Sequence, residues 1–231
     1  MKTILLYSGG LDSTAARYIL KPDALLYVDL GVEYSAKERA ALPVDVWVVS
    51  AQSMVTTISK RSQHVPFRNM IFAEIAYNQA VARWPDEDVI RVAVIGVKED
   101  ATEDKTKQAF QIMSAALNAI RPKGGPLIDI FSPFWDTTKA QLVVWLKANR
   151  LDWEAILKEI VTCFSADGKR CGKCWACVAY ATTLTLAGIE CRKWFESDVV
   201  QTAKEQLMIK DWVSLIWADE ITRAIQIWNK I

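Results

Sequence analysis

Short apolar runs alternate with polar turns and helix-like segments along the first part of the chain. The runs span residues 2–7, 24–29, 44–49, 88–96 and 127–131. Apolar runs of this length, bounded by glycine or polar residues, are typical of buried strands. Residues 68–83 instead carry apolar side chains at helical spacing. This βαβ rhythm predicts an α/β, Rossmann-like fold with a mainly parallel sheet and helices on both faces.

The later part of the chain has a different pattern. Thr137 or Thr138 can cap a helix that runs to about residue 149, and a cysteine cluster follows. Beyond Cys191 two segments rich in tryptophan have amphipathic helical spacing. We therefore expect an α/β domain over 1–160, a cysteine-containing segment over 161–191 and a helical tail over 192–231. The tail is expected to pack back on the core, and a homodimer contact is the alternative.

Composition narrows the class of protein. Hydrophobic residues make up 52% and charged residues 24%, which is a globular balance that argues against disorder. A formal net charge of +1 provides no broad basic field, so no stable nucleic-acid complex is expected. No apolar stretch approaches the roughly 20 residues of a membrane span. The chain begins directly with a strand-like run, and we expect a cytoplasmic protein.

A glycine and serine loop follows the first apolar run. Its residues are Ser8, Gly9, Gly10, Leu11, Asp12 and Ser13. At a strand-to-helix junction, backbone N–H groups converge on an anion, and the serine hydroxyls add donors. A carboxylate beside phosphate needs a cation between them, so Asp12 is expected to hold magnesium or to fix the loop.

The loop differs from the common nucleotide motifs. It lacks the lysine of the P-loop and the third glycine of the dinucleotide fingerprint. It resembles the SGGxDS signature of the PP-loop ATP pyrophosphatase superfamily, with matches at Ser8, Gly9, Gly10, Asp12 and Ser13. The resemblance implies that the protein binds ATP, adenylates a substrate and releases pyrophosphate.

Four of the five cysteines are closely spaced. Cys163, Cys171, Cys174 and Cys177 offer four thiolates, which favour zinc in a closed, structural tetrahedron. The C-x2-C-x2-C run also has the spacing of a ferredoxin cluster, but the further cysteine and proline of that motif are absent. Cys191 is expected to be a small buried residue outside the site.

Together the two motifs resemble the 7-cyano-7-deazaguanine synthase (QueC) family over about residues 1–191. Further matches are Val65-Pro66-Phe67-Arg68-Asn69, Ile95-Gly96-Val97 followed by Asp100, and Thr138-Lys139-Ala140. The resemblance implies an ATP-dependent carbon–nitrogen ligase. Its substrates would be 7-carboxy-7-deazaguanine and free ammonia, and the product, 7-cyano-7-deazaguanine, would form through an acyl adenylate and an amide. ATP, magnesium and a structural zinc are the implied cofactors.

The predicted site residues follow from these motifs. Catalytic roles are assigned to Asp12, Ser13 and Lys139; ATP contacts to Ser8, Gly9, Gly10, Leu11, Asp12, Ser13 and Asp29; substrate contacts to Arg68, Asn69, Asp100 and Asp104. A lysine in the first turn of a helix is unfavourable for the helix dipole unless an anion binds there. Outside the loop, simpler alternatives remain: a solvated lysine, a surface arginine, a helix cap and a strand end.

The sequence also departs from the family pattern. The stretch 96–110 retains Asp100, Asp104 and Phe110 but lacks the family's tyrosines, proline and arginine, and residues 29–34 differ as well. Alternatives are therefore a ligase that stops at the amide or uses another carboxylate, a tRNA-thiolating PP-loop enzyme, or a zinc-braced binding module without turnover. The single histidine, His64, excludes a multi-histidine metal site within one chain.

Overall fold

The structure, a computed structural model, describes residues 1–32, 35–52, 67–99, 104–163, 169–208 and 215–230. The chain forms two compact units, Met1–Asp136 and Thr137–Ile231. The predicted division at residues 160 and 191 stays a prediction.

The first unit contains a parallel five-stranded sheet. Its strands are β1 (Lys2–Leu6), β2 (Ala24–Asp29), β3 (Val46–Ser50), β4 (Val89–Ala93) and β5 (Leu127–Phe131), in the order β3-β2-β1-β4-β5. In the register, Ile4 pairs with Ala24 on one side and with Val92 on the other. The five predicted strands are confirmed. β3 begins two residues later than predicted, since Val44 lies fully in solvent, and the predicted runs 2–7 and 88–96 extend beyond the observed β1 and β4.

Helices cover both faces of this sheet. They are α1 (Leu11–Leu20), α2 (Ser35–Ala40), α3 (Arg68–Arg83) and α4 (Lys107–Ile120). Every residue of β2 is buried, which requires cover on both sides. Ile4, Leu26 and Val28 share one apolar core with α3, whose alanines at 73, 76 and 80 allow close approach to the sheet. Leu5 and Leu25 are buried on the opposite face, where α1 packs against β1.

The strand order determines where a ligand can bind. Successive strands run outward from β1 to β3, and the chain then returns to the other side of β1 to form β4. In doubly wound sheets the crevice outside the carboxyl ends of the strands, at such a reversal, is the usual ligand site. The predicted Rossmann-like fold is confirmed. Its crevice lies at the carboxyl end of β1, where the glycine and serine loop begins.

The second unit is helical. Its elements are α5 (Lys139–Asn149), α6 (Trp153–Glu159), α7 (Trp175–Leu186), a 3₁₀ helix (Arg192–Trp194), α8 (Val199–Met208) and α9 (Leu215–Trp228). Thr138 caps α5 in a reciprocal box with Gln141, as its position predicted. Helices α8 and α9 pack against α7, and Trp217 meets Trp175 edge to face at 5.7 Å. Among the described residues, no helix is long and apolar enough to cross a membrane.

Candidate active site and metal site

The loop between β1 and α1 has the backbone of an anion-binding turn. Gly9 has a φ of 74°, a conformation that residues with a Cβ atom rarely adopt. Gly10 has an extended backbone and is the N-cap residue of α1. The first helical hydrogen bond runs from Thr14 N–H to the Gly10 carbonyl at 3.0 Å. The amides that precede it therefore lie at the positive end of the helix dipole.

Hydrogen bonds within the loop are long. Ser8 N–H donates to the Ser13 hydroxyl at 3.3 Å, and Gly10 N–H donates to the Ser8 hydroxyl at 3.4 Å. Typical N–H···O distances are about 2.7–3.2 Å, so these contacts are weak. An anion with better geometry can replace them at low cost, which suits a loop that receives phosphate.

A cavity of about 260 Å³ opens at this loop. Its walls come from the ends of β1, β2 and β4 and from the first turns of α1 and α3. The predicted residues that line it are Ser8, Gly10, Leu11, Asp12, Ser13, Arg68 and Asn69. Apolar side chains, among them Leu26, Val28, Val32 and Phe72, form much of the remaining wall. The arrangement combines an anion-binding turn with an apolar wall of the kind that accepts a planar ring.

The N-terminus of α3 contributes a second set of polar groups. Phe67 precedes the helix with a φ of 57°, and Arg68 and Asn69 occupy its first turn. Arginine at this position is unfavourable for the helix dipole. Two helix N-termini and a guanidinium at one cavity together favour an anionic ligand.

Asp29, at the end of β2, is held within the protein. Its carboxylate accepts hydrogen bonds from Gly31 N–H at 2.8 Å and from Gln52, and it pairs with Arg39 at 3.2 Å. Burial tends to raise its pKa, but these donors and the arginine outweigh it and lower the pKa overall. Asp29 and Gly9 are not among the described residues that line the cavity. The ATP contact predicted for Asp29 stays a prediction.

A tyrosine and a glutamate line the cavity beside Asp29. The Tyr27 hydroxyl donates to Glu38 Oε2 at 2.8 Å. The pKa of Glu38 is raised because burial disfavours its charged form. The hydrogen bond from Tyr27 and the charge of Arg68 lower this pKa, but their effect is smaller. Burial also raises the pKa of Tyr27, so this phenol stays protonated and acts as the donor. Neither residue was predicted from the sequence.

The remaining predicted residues fall in three places. Asn69 donates to Asp104 Oδ2 at 2.9 Å, which connects α3 to the stretch before α4, and Lys105 lines the cavity next to it. Asp100 lies outside the described residues, as does His64. Lys139 belongs to the second unit, in the first turn of α5. The catalytic and binding roles of these residues remain predictions.

The four predicted metal ligands lie together in the second unit. The sulfur atoms of Cys163, Cys171, Cys174 and Cys177 are all within 4.8 Å of one another. The pair Cys171–Cys177 is separated by 4.0 Å and the pair Cys174–Cys163 by 3.9 Å. A tetrahedron with zinc–sulfur bonds of about 2.3 Å places its sulfurs about 3.8 Å apart. The geometry therefore fits one zinc ion with a closed shell.

Neighbouring groups stabilise the thiolate form of these cysteines, which is the form that binds a metal. Cys174 caps α7 and Cys177 lies in its first turn, where the dipole stabilises thiolates. Cys171 N–H donates to Cys163 Sγ, and Lys173 N–H donates to Cys171 Sγ. A hydrogen bond with Cys174 and then burial raise the pKa of Cys177, and burial raises that of Cys171. Four crowded thiols of this kind lose their protons together only when a metal compensates the charge.

The segment that carries the ligands is anchored by Arg170. Its guanidinium donates to the carbonyls of Leu157, Lys158 and Ile160, at the end of α6, over 2.8–3.1 Å. It also stacks on the Tyr180 ring at 5.1 Å. These contacts satisfy helix-terminal carbonyls and fix the start of the Cys171 turn.

Cys191 is fully buried away from the cluster. Its thiol contacts the Ala181 carbonyl at 3.7 Å and the Thr185 hydroxyl at 3.9 Å. Burial raises its pKa to about 12, so it is a protonated and unreactive side chain. This agrees with the interpretation of Cys191 as a small buried residue outside the site.

The family model described as "Queuosine biosynthesis protein QueC" matches residues 47–188, more than half of the chain. This chain belongs to the QueC family. The family match spans the four-cysteine cluster, and the resemblance inferred from the sequence motifs is therefore confirmed.

Curated relatives extend the match across most of the chain. A 7-cyano-7-deazaguanine synthase of Saccharophagus degradans is 27% identical over 208 residues, which is 76% of this chain and 89% of that protein. The enzyme of the same name from Agrobacterium fabrum is 24% identical over 218 residues, covering 82% of this chain and 89% of the relative. The chain is thus a divergent QueC-family member that is similar to its relatives over nearly their whole length.

The polar cavity residues that the sequence did not identify include Tyr27, Glu38 and Lys105. Each is an ordinary residue in its local context. Tyr27 lies inside a buried strand, and Glu38 lies in a short helix with charged neighbours. Their grouping arises only from the folded chain, so no local signal identifies them.

Proposed function

We propose that the protein is an ATP-dependent ligase that converts 7-carboxy-7-deazaguanine and ammonia into 7-cyano-7-deazaguanine. The names of the relatives support this product. The observation that carries the ATP dependence is the cavity at the carboxyl ends of β1, β2 and β4, with the glycine and serine loop at its edge. Such an arrangement is suited to binding nucleotide phosphates.

The proposed reaction has two activation steps. A carboxylate oxygen of the substrate attacks the α-phosphorus of ATP, the bond to the β-phosphate breaks, and pyrophosphate leaves. Ammonia then attacks the acyl carbon, loses a proton and expels AMP, which forms the amide. The amide oxygen then attacks the α-phosphorus of a second ATP, and a second pyrophosphate leaves. Loss of the nitrogen's protons with departure of AMP forms the nitrile. Adenylation is needed because oxide and hydroxide are poor leaving groups.

Named groups would assist charge development. The amides at the start of α1 and the hydroxyls of Ser8 and Ser13 would bind phosphate oxygens, and Arg68 would offset the negative charge. The carboxylate of Asp12, which lines the cavity, has the chemistry to hold magnesium there. Magnesium would reduce repulsion between the phosphates and the incoming carboxylate.

The decisive experiment is incubation with ATP, magnesium, ammonium and 7-carboxy-7-deazaguanine, followed by mass spectrometry of the products and measurement of pyrophosphate. We expect the nitrile and two equivalents of pyrophosphate per nitrile. Asp12→Ala should lower pyrophosphate release by at least about a hundredfold while zinc content stays unchanged. Asp45→Ala removes a carboxylate that pairs with Arg17 outside the cavity, and it should retain activity.

A related ligase is the second candidate, because the substrate stretch 96–110 differs from the family pattern. Product mass separates the alternatives: accumulation of the amide indicates an enzyme that stops halfway. Failure to use this substrate, with pyrophosphate released from another carboxylate, indicates a different acceptor. An intact protein that neither binds ATP nor releases pyrophosphate with any acceptor would refute the proposal.

A further inference from the structure

The carboxyl end of β2 presents two acidic side chains with different surroundings. Asp29 has only 3% of its side chain exposed, and its acceptor positions serve Gly31, Gln52 and Arg39. These contacts tie the residues after β2 to the last turn of α2 and to the segment that follows β3. Asp29 therefore holds these segments in place at this edge of the cavity.

Glu38 has a different environment. Tyr27 occupies one of its oxygens with a hydrogen bond of 2.8 Å, and both side chains line the cavity. A carboxylate accepts about four hydrogen bonds, so the contact with Tyr27 orients the group and leaves acceptor positions for a ligand. Among the described residues that line the cavity, the acids are Asp12, in the glycine and serine loop, and Glu38.

The polarity of the cavity indicates the order of groups along a bound nucleotide. Phosphates belong at the loop after β1, and a purine suits the apolar wall that includes Leu26, Val28 and Val32. The ribose joins these two parts. In nucleotide-binding sheets of this strand order, the acid that contacts the ribose lies about 20 residues after the glycine turn. Asp29 has that place here, but its carboxylate is engaged by Gly31, Gln52 and Arg39, and Glu38 is the acid that lines the cavity beside it.

From this geometry we propose that Glu38, held in place by Tyr27, accepts a hydrogen bond from a ribose hydroxyl of ATP and so makes the enzyme selective for ribonucleotides. The inference rests on the proposed function. Tyr27 is a positioning residue, and Asp29 shapes the edge of the cavity. The contact is charge-assisted and partly shielded from water, which makes it worth more than a surface hydrogen bond.

The test compares equilibrium binding of ATP, 2′-deoxy-ATP and 3′-deoxy-ATP, each with magnesium, by isothermal titration calorimetry. The wild type should bind at least one deoxynucleotide about tenfold more weakly than ATP, the effect of losing one hydrogen bond to a charged group. In Glu38→Gln the ratio of the two dissociation constants, deoxynucleotide over ATP, should fall to about twofold. Tyr27→Phe should fall between the two. Glu74→Gln, an exposed residue on α3, is the matched control and should behave as the wild type.

Other results would overturn the inference, and they show whether the proposed function fails with it. If the wild type binds ATP and both deoxynucleotides equally, or if Glu38→Ala and Glu38→Gln keep the full discrimination, Glu38 does not contact the ribose although the proposed function stands. If Glu38→Gln leaves nucleotide discrimination intact and raises only the KM for 7-carboxy-7-deazaguanine, the glutamate contacts the substrate ring. A folded, zinc-containing wild type that binds no ATP would overturn the proposed function as well.

Discussion

Replacement of Gly172 by alanine tests whether the turn between the cysteine ligands is as tightly packed as the structure indicates. Gly172 has a φ of 73°, and a Cβ built there lies 2.6 Å from the backbone oxygen of Ser197. The left-handed conformation costs alanine about 1–2 kcal/mol. The clash involves backbone that cannot rotate away, and overpacking of this kind costs roughly 1–3 kcal/mol more. We expect Gly172→Ala to destabilise the protein by about 2–5 kcal/mol.

Gly188 provides a matched control within the same unit. Its φ is 74°, but a Cβ there meets no atom within 4 Å. Gly188→Ala should therefore lower the free energy of unfolding only by the conformational cost, about 1–2 kcal/mol. The assay is urea unfolding of the zinc-loaded protein, together with the rate of zinc transfer to a chelator. Gly172→Ala should lose zinc faster, because Cys171 and Cys174 must shift with the turn. Equal free energies of unfolding for the two variants would refute the proposed close packing on Ser197.

Two further predictions concern the cysteine cluster and Asp29. Cys174→Ser should abolish stoichiometric zinc and lower the free energy of unfolding by several kcal/mol, because metal binding contributes directly to folding; metal analysis and urea unfolding measure this. Asp29→Asn should destabilise the protein by about 1–3 kcal/mol at neutral pH. Because the folded pKa of Asp29 is lowered, its contribution is present above the unfolded pKa and disappears as pH falls through the folded pKa. Unfolding measured from neutral to acid pH should show the two proteins converging.

Each of these predictions has a control. Cys191→Ser changes a buried thiol outside the cluster and should keep one zinc per chain. If Cys174→Ser retained zinc and stability and altered only the reaction rate, a structural metal would be the wrong interpretation. Asp45→Asn alters an exposed carboxylate that pairs with Arg17 and should leave the pH dependence of stability nearly unchanged. A destabilisation by Asp29→Asn that persisted undiminished into acid would contradict a charge-based role for Asp29.

Much of the fold could be predicted because its determinants are local. The strand at 127–131 and the helix at 68–83 were predicted with the bounds that the structure shows, since apolar runs and helical spacing act over a few residues. The Thr138 cap was also predicted, because a cap and its helix are adjacent. The start of β3 was placed two residues too early, since pairing with β2 determines where a strand begins and the apolar run does not.

The candidate site was only partly predictable for the same reason. The glycine and serine loop and the four-cysteine cluster are short motifs whose members lie close together in the chain. Glu38 instead depends on Tyr27, 11 residues away, and Asn69 on Asp104, 35 residues away. Such pairs are decided by strand order and by helix placement, which a single sequence does not display.

The amino-acid sequence alone determined the α/β class, the glycine and serine loop after the first strand, the four-cysteine cluster and the family, because each depends on a local pattern of side chains and spacing. The tertiary structure decided which polar groups share the cavity. It also decided that Asp29 is engaged within the protein while Glu38 lines the cavity beside it. The physical reason is that burial and hydrogen-bond partners are properties of the packed chain, where the carboxyl ends of parallel strands bring distant residues together.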